Sequence, residues 1–134
     1  MKANQCQVVL VDDDDEDIWL TRQIFARHYP QCDLASYGDG VELLEALSSR
    51  PAQELPNLIV LDLNMPRMNG FETLRVLKSD PRLVGIPVLV LTTSSRPEDA
   101  ESCQQLGSSD YVAKDTFHRG QARQMDRWIP QLVS

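Results

Sequence analysis

Short, unbroken apolar runs alternate with longer stretches of helical periodicity along the whole chain. The clearest runs are Val8–Val11, Leu58–Leu61 and Val88–Leu91, with weaker ones at Leu34–Tyr37 and Tyr111–Ala113. Strands that are apolar throughout, rather than at every second position, belong to a parallel sheet covered on both faces. Five such strands alternating with five helical stretches predict a doubly wound α/β fold.

Local signals punctuate the pattern. Asp39 with Glu42, and Ser95 with Glu98, have the spacing of a capping box and predict helix starts. Pro51 and Pro56 end the second helix and precede the third strand, and Pro81 and Pro87 bracket the link into the fourth. No linker or internal repeat interrupts the series, so residues 1–134 are expected to form a single domain with no separate output domain. Within the first helix, Ile18, Thr21, Ile24, Phe25 and His28 share one face, while Trp19 points the other way. An exposed Trp there would suit a kinase contact; the alternative is a ring lying flat over aliphatic stems.

Composition narrows the function. A net charge of −7 and a pI near 4.7 argue against direct binding to nucleic acid or to an anionic membrane. No apolar run approaches the length of a membrane span, and the apolar stretch near the N-terminus is too short for a signal peptide. Cys6, Cys32 and Cys103 lack metal or redox spacing and read as reduced, structural thiols of a cytoplasmic protein.

Six consecutive acids, Asp12 to Asp17, follow the first apolar run. Like charges gathered at a strand end repel one another unless a cation neutralises them, and hard carboxylate oxygens suit Mg²⁺. In a doubly wound sheet, ligands bind beyond the carboxyl ends of the strands. The first strand ends at Asp12 and Asp13, the third at Asp62, the fourth at Thr92 and Thr93, and the fifth at Lys114. Four strand ends thus bring three acids, a hydroxyl and an ammonium to one edge.

The segments VVLVDD (8–13), LIVLDLNMPRMNG (58–70), PVLVLTTS (87–94) and DYVAK (110–114) resemble those of a response-regulator receiver domain. The resemblance runs over essentially the whole chain; the LVDDDxxD and LTTS forms are also similar to small receivers that partner phytochrome-type sensor kinases. It implies a flavodoxin-like sheet of strand order 2-1-3-4-5. It also implies that Asp62 accepts a phosphoryl group from a phosphohistidine on a sensor histidine kinase or phosphotransfer protein. Asp12, Asp13, Asp62 and the backbone carbonyl of Asn64 would hold Mg²⁺. Lys114 and Thr92 would contact the phosphoryl group, Asn64, Thr93 and Ser94 would line the path of water to it, and Tyr111 would follow Thr92. Output would pass to a downstream protein by protein contact.

Each residue has a plainer reading beside the functional one. An Asp at a strand end can merely cap a turn, as Asp39 is expected to do. Asp14, Asp15, Glu16 and Asp17 read as first-turn acids favoured by the helix dipole. Thr92 can be a β-branched strand residue and Tyr111 a packing aromatic. His28 and His118 have no partners at ligand spacing. In the last helix Phe117, Met125, Trp128, Ile129 and Leu132 form an apolar stripe, and Arg119, Arg123 and Arg127 an opposed basic face suited to a homodimer or another partner. Two rival functions are a Mg²⁺-dependent phosphohydrolase with an Asp nucleophile and a receiver-like module that is never phosphorylated. Asn64 stands where such hydrolases carry a second Asp, and the intact Asp12, Asp13, Asp62, Thr92 and Lys114 set argues against the module. The resemblance also has a departure: Asp115 stands after Lys114 where receivers usually have a cis Pro. A trans Lys114–Asp115 bond is expected, with Asp115 capping the last helix and the Lys114 ammonium less firmly set on Asp62.

Overall fold

The computed structural model describes residues 6–119 and Arg127. In chain order the elements are β1 (Cys6–Val11), α1 (Asp15–His28), β2 (Cys32–Tyr37), α2 (Gly40–Ser48), a 3₁₀ turn (Ala52–Glu54), β3 (Leu58–Leu61), α3 (Gly70–Ser79), β4 (Val88–Thr92), α4 (Pro97–Leu106), β5 (Asp110–Ala113) and α5 (Lys114–His118). The strands form one parallel sheet of order β2-β1-β3-β4-β5, as the sequence pattern and the resemblance implied. The three central strands owe their unbroken apolar character to this topology. Val9, Val11, Ile59, Leu61, Val88 and Val90 pack under α2, α3 and α4, in contact with Leu43, Leu47, Leu74, Leu77 and Cys103. Val8, Leu10, Leu58, Val60, Leu89 and Leu91 face the other way, toward Phe25 of α1 and Phe117 of α5.

Local chemistry explains most element ends. Asp14 caps α1 by accepting from Asp17 N at 3.0 Å, and Asp39 caps α2 by accepting from Glu42 N at 2.9 Å. Asn69 and Glu72 close a full capping box at α3, a pair the sequence reading did not single out. The capping box expected at Ser95 and Glu98 does not form. Pro97 takes the first helical position of α4, with Arg96 at the N-cap and no side-chain cap. A proline preset to helical φ and lacking an N–H starts that helix in place of a serine cap.

Three further expectations change. Parallel register sets Cys6 directly opposite Cys32 with Cα atoms 4.6 Å apart, and the two are joined by a disulfide. Their separation of 26 residues hid this pairing from spacing arguments, and the inference of a reducing compartment from free thiols loses its basis. Only Cys103, among the described residues, is a buried free thiol, pushed up to about 11 by burial. Asp115 does not cap α5, which starts at Lys114 after Ala113 with no side-chain cap; Asp115 pairs instead with Arg119 at 3.3 Å. His28 is exposed rather than on the buried face of α1. The Lys114–Asp115 bond is trans, since no described peptide bond is cis. Trp19 is 59% exposed, as its place on the helix wheel requires. The stripe of Met125, Trp128, Ile129 and Leu132, and Arg123 of the basic face, lie outside the described residues. Arg127 is exposed and meets Asp110 at 3.3 Å. Among the described residues no helix is long and apolar enough to cross a membrane.

Candidate functional site

The carboxyl ends of β1, β3, β4 and β5 meet at one edge, and each delivers a polar side chain there. Asp12 follows β1 directly. Its backbone N–H donates to Tyr37 O at 3.0 Å, which extends the sheet pairing by one residue and leaves the carboxylate only 1% exposed. Asp62 follows β3 in the same way, its N–H donating to Val11 O at 2.9 Å, and is 5% exposed. Gly70 explains why the motif after Asp62 ends in glycine. A Cβ there would lie 2.3 Å from the Asp62 carbonyl oxygen, so only glycine lets the start of α3 turn back over the end of β3.

Two acids without solvent must find partners. Asp62 Oδ1 accepts from Leu63 N at 2.8 Å, and Asp12 Oδ1 from Asp14 N at 3.0 Å. Lys114, buried at the start of α5, places its ammonium among three carboxylates: 2.7 Å from Asp17 Oδ2, 2.8 Å from Asp12 Oδ2 and 3.3 Å from Asp62 Oδ2. Asp17, read from the sequence as a plain first-turn acid, is therefore part of the cluster. The LVDDDxxD form carries Asp17 as its last acid and passes over Asp15 and Glu16, but only the packing of α1 against α5 shows that it meets Lys114. The ammonium lies closer to Asp12 and Asp17 than to Asp62, in line with the looser Lys114–Asp62 pairing expected from the sequence.

One cation is too few for this set. Burial pushes Asp62 up to about 6, with the neighbouring Asp12 charge adding to the rise and Lys114 opposing it. Burial likewise raises Asp12, against the pull of Lys114 and the Asp14 N–H. For Lys114 burial works downward, but its bonds to Asp12 and Asp17 outweigh it and raise the group. Carboxylate oxygens of Asp12, Asp13 and Asp62 all lie within 4.8 Å of one another, and the buried Asp12 Oδ2 has the Lys114 ammonium at 2.8 Å as an ion-pair partner but no aligned hydrogen bond. A set of three hard oxygens with a single ammonium among them fits a small divalent cation. Asn64 is exposed two residues beyond Asp62, and Asp13 is exposed beside Asp12.

β4 supplies the hydroxyl side of the site. Thr92 is fully buried and its Oγ1 accepts from Ser94 N at 3.2 Å, which leaves its own hydrogen to donate. Ser94 Oγ donates to Asp99 Oδ2 at 2.6 Å and so ties the loop to α4, while Thr93 is exposed. Tyr111 is half-buried in the α3–α4 side of the core, and its hydroxyl reaches Ser94 O at 3.4 Å. Packing and contact with the Thr92 loop thus coexist in one side chain. His118, which has no partner at ligand spacing, lies 3.1 Å from Thr21 Oγ1 by Nε2. A hollow of about 580 Å³ lies near the opposite strand ends, lined by Gln7, Asp33, Arg50 and Glu54 among others. Four residues of β1, Val8 to Val11, lie between Gln7 and Asp12, and none of the acidic cluster lines the hollow.

Comparison with known proteins agrees with this geometry. Residues 8–125 match the family model described as the response regulator receiver domain. Response regulator Rcp1 of Synechocystis is 34% identical over 110 residues, which cover 80% of this chain and 75% of Rcp1. A probable cyclic di-GMP phosphodiesterase of Vibrio cholerae is 35% identical over 83% of this chain, but the match spans only 24% of that protein. Among solved structures, the Mn²⁺-bound form of Rcp1 superposes with a TM-score of 0.79 at 30% identity, covering 92% of this chain and 94% of that one. The phosphorylated cyanobacterial phytochrome response regulator RcpA superposes with a TM-score of 0.82 at 28% identity, covering 94% and 95%.

Proposed function

The chain belongs to the response regulator receiver domain family, and from that premise we propose that it is a phosphoacceptor switch built on Asp62. A sensor histidine kinase or phosphotransfer protein supplies the phosphoryl group as a phosphohistidine. An Asp62 carboxylate oxygen attacks phosphorus, a P–O bond forms as the P–N bond breaks, and the electron pair leaves with the imidazole nitrogen. The observation that carries the reading is the buried acceptor carboxylate with too little positive charge around it: Asp62 is 5% exposed, and its single ammonium neighbour is shared with two other acids.

Asp12, Asp13 and Asp62, with Asn64 by family resemblance, would hold Mg²⁺, and the ion would supply charge neutralisation for phosphoryl oxygens. Phosphoryl transfer depends mainly on such positioning and neutralisation. Lys114 contributes a second positive charge through N–H donors, and Thr92 a hydroxyl donor from the end of β4. Thr93 and Ser94, with Asn64, shape access for water. Tyr111 reports the state of the Thr92 loop to the α4–β5 surface, where a downstream protein reads it. Residues 1–134 act as one receiver unit in this scheme. A phosphohydrolase with the same nucleophile is disfavoured by Asn64, which offers no carboxyl at the position of the second acid.

Labelling with acetyl phosphate in Mg²⁺ tests the reading. Wild type should give a hydroxylamine-labile acyl phosphate, and Asp62→Ala or EDTA should each abolish it. Undiminished labelling of Asp62→Ala would overturn the assignment.

A further inference from the structure

We propose that Asp17 is a positioning residue for Lys114, holding its ammonium in a resting place from which a phosphoryl group on Asp62 must draw it; the proposal rests on the phosphoacceptor reading of Asp62. A lysine has three N–H donors and no acceptor. In this structure the ammonium donates to Asp17 at 2.7 Å and to Asp62 at 3.3 Å, and lies 2.8 Å from Asp12 Oδ2 as an ion pair. A phosphoryl oxygen can draw Lys114 to itself only if the ammonium moves away from one of these carboxylates. The Asp12 and Asp62 side chains are 1% and 6% exposed and belong to the metal-holding set, whereas that of Asp17 is 21% exposed, so water can take the place of Lys114 there. Asp17 is therefore the partner that Lys114 exchanges.

The frame around this contact gives it a definite geometry. Asp17 and Thr21 are one turn apart on α1, and Lys114 and His118 one turn apart on α5. The Asp17–Lys114 pair and the Thr21–His118 contact at 3.1 Å thus form two rungs between the helices, the second on a fully buried threonine. Holding α1 and α5 in register places the Asp17 carboxylate against the ammonium. Removing that carboxylate frees one donor of Lys114 for the acceptor and takes one negative charge from the path of an incoming phosphoryl group. Both effects favour the phosphorylated state.

Initial rate of acetyl phosphate labelling and lifetime of the acyl phosphate, at saturating Mg²⁺, provide the test. Asp17→Asn should label several-fold faster than wild type and hold the phosphoryl group longer, while Asp17→Glu should stay near wild type. Asp15→Asn removes an equal charge from the same turn without touching Lys114 and should leave both quantities unchanged. Asp17→Asn matching Asp15→Asn, or labelling more slowly than wild type, would overturn the proposal. A double-mutant cycle of Asp17→Asn and Lys114→Gln on the urea unfolding equilibrium of the metal-free protein reads the same contact without phosphorylation. Coupling of several-fold beyond the product of the single effects is expected, and purely multiplicative effects would also overturn it. Wild type that fails to label while the cycle still shows coupling would sink the Asp62 reading and leave Asp17 as the holder of Lys114.

Discussion

Buried acids meet a basic side chain at two places in this fold, and the two meetings have opposite balance. Asp39, 3% exposed at the start of α2, receives the Arg67 guanidinium in a two-pronged contact, 2.8 Å to one oxygen and 3.2 Å to the other, plus the Glu42 N–H. Every lone pair that matters has a donor, and the Arg67 contact holds the Asp39 carboxyl below its ordinary value. Arg67 adopts φ 61° to make the contact, a left-handed backbone that a non-glycine residue enters only when its surroundings hold it there. At the site edge, one lysine serves Asp12, Asp17 and Asp62, and both buried acids are shifted upward. A satisfied pair fastens the loop after Asp62 to α2; an under-neutralised cluster asks for a further cation or gives way when charge arrives.

The widest separation between the two regions should appear in phosphoryl chemistry. Arg67→Ala should keep hydroxylamine-labile labelling that Asp62→Ala lacks completely; loss of label in both would make the clamp part of the site. Stability against pH gives the next largest contrast. For Asp62 the folded-state value of about 6 lies above the ordinary 3.8, so the folded protein binds that proton more tightly. The stabilisation is full below the unfolded value and is lost as pH rises through about 6. Two units correspond to about 3 kcal/mol as an upper bound. Metal-free protein should therefore lose unfolding free energy between about pH 4 and 6, Mg²⁺ should restore it by binding only the folded state, and Asp62→Asn should flatten the slope. A metal-free stability that is level across this window would remove the claim of under-neutralisation.

Asp39 should show the reverse sign and a smaller effect, since Arg67 is more than half exposed. Its lowered value means stabilisation that is present above the unfolded value and lost as pH falls through the folded one. Asp39→Asn should leave the neutral-to-alkaline region unchanged in shape and remove part of the acid-side loss, measured by thermal melts below pH 4. The smallest effect is expected at Thr93, exposed just beyond the buried Thr92. Thr93→Ala should modestly speed labelling by small phosphodonors; equal or slower labelling would count against steric gating by that side chain.

Placement of the main residues was legible because strand ends are legible. In a parallel sheet every strand of the series runs to the same edge, so an apolar run followed by Asp12, Asp62 or Thr92 determines where those side chains go before any packing is known. The same logic brought Lys114 to that edge. Helix caps were readable only where the motif had no competitor: Asp39 caps α2 as expected, while Pro97 displaced Ser95 at α4.

What the sequence determined by itself, then, is the order of strands and helices and the edge at which Asp12, Asp13, Asp62, Thr92 and Lys114 gather. Tertiary structure alone decided which of these groups touch. Asp17 was chosen from a run of six acids by a lysine 97 residues away, Cys6 was set against Cys32 by register, and Thr21 met His118 through the packing of α1 on α5. Periodicity assigns a residue to a face, because it follows from backbone geometry within one element. It carries no information about the neighbour across that face, which depends on register and helix packing between distant segments.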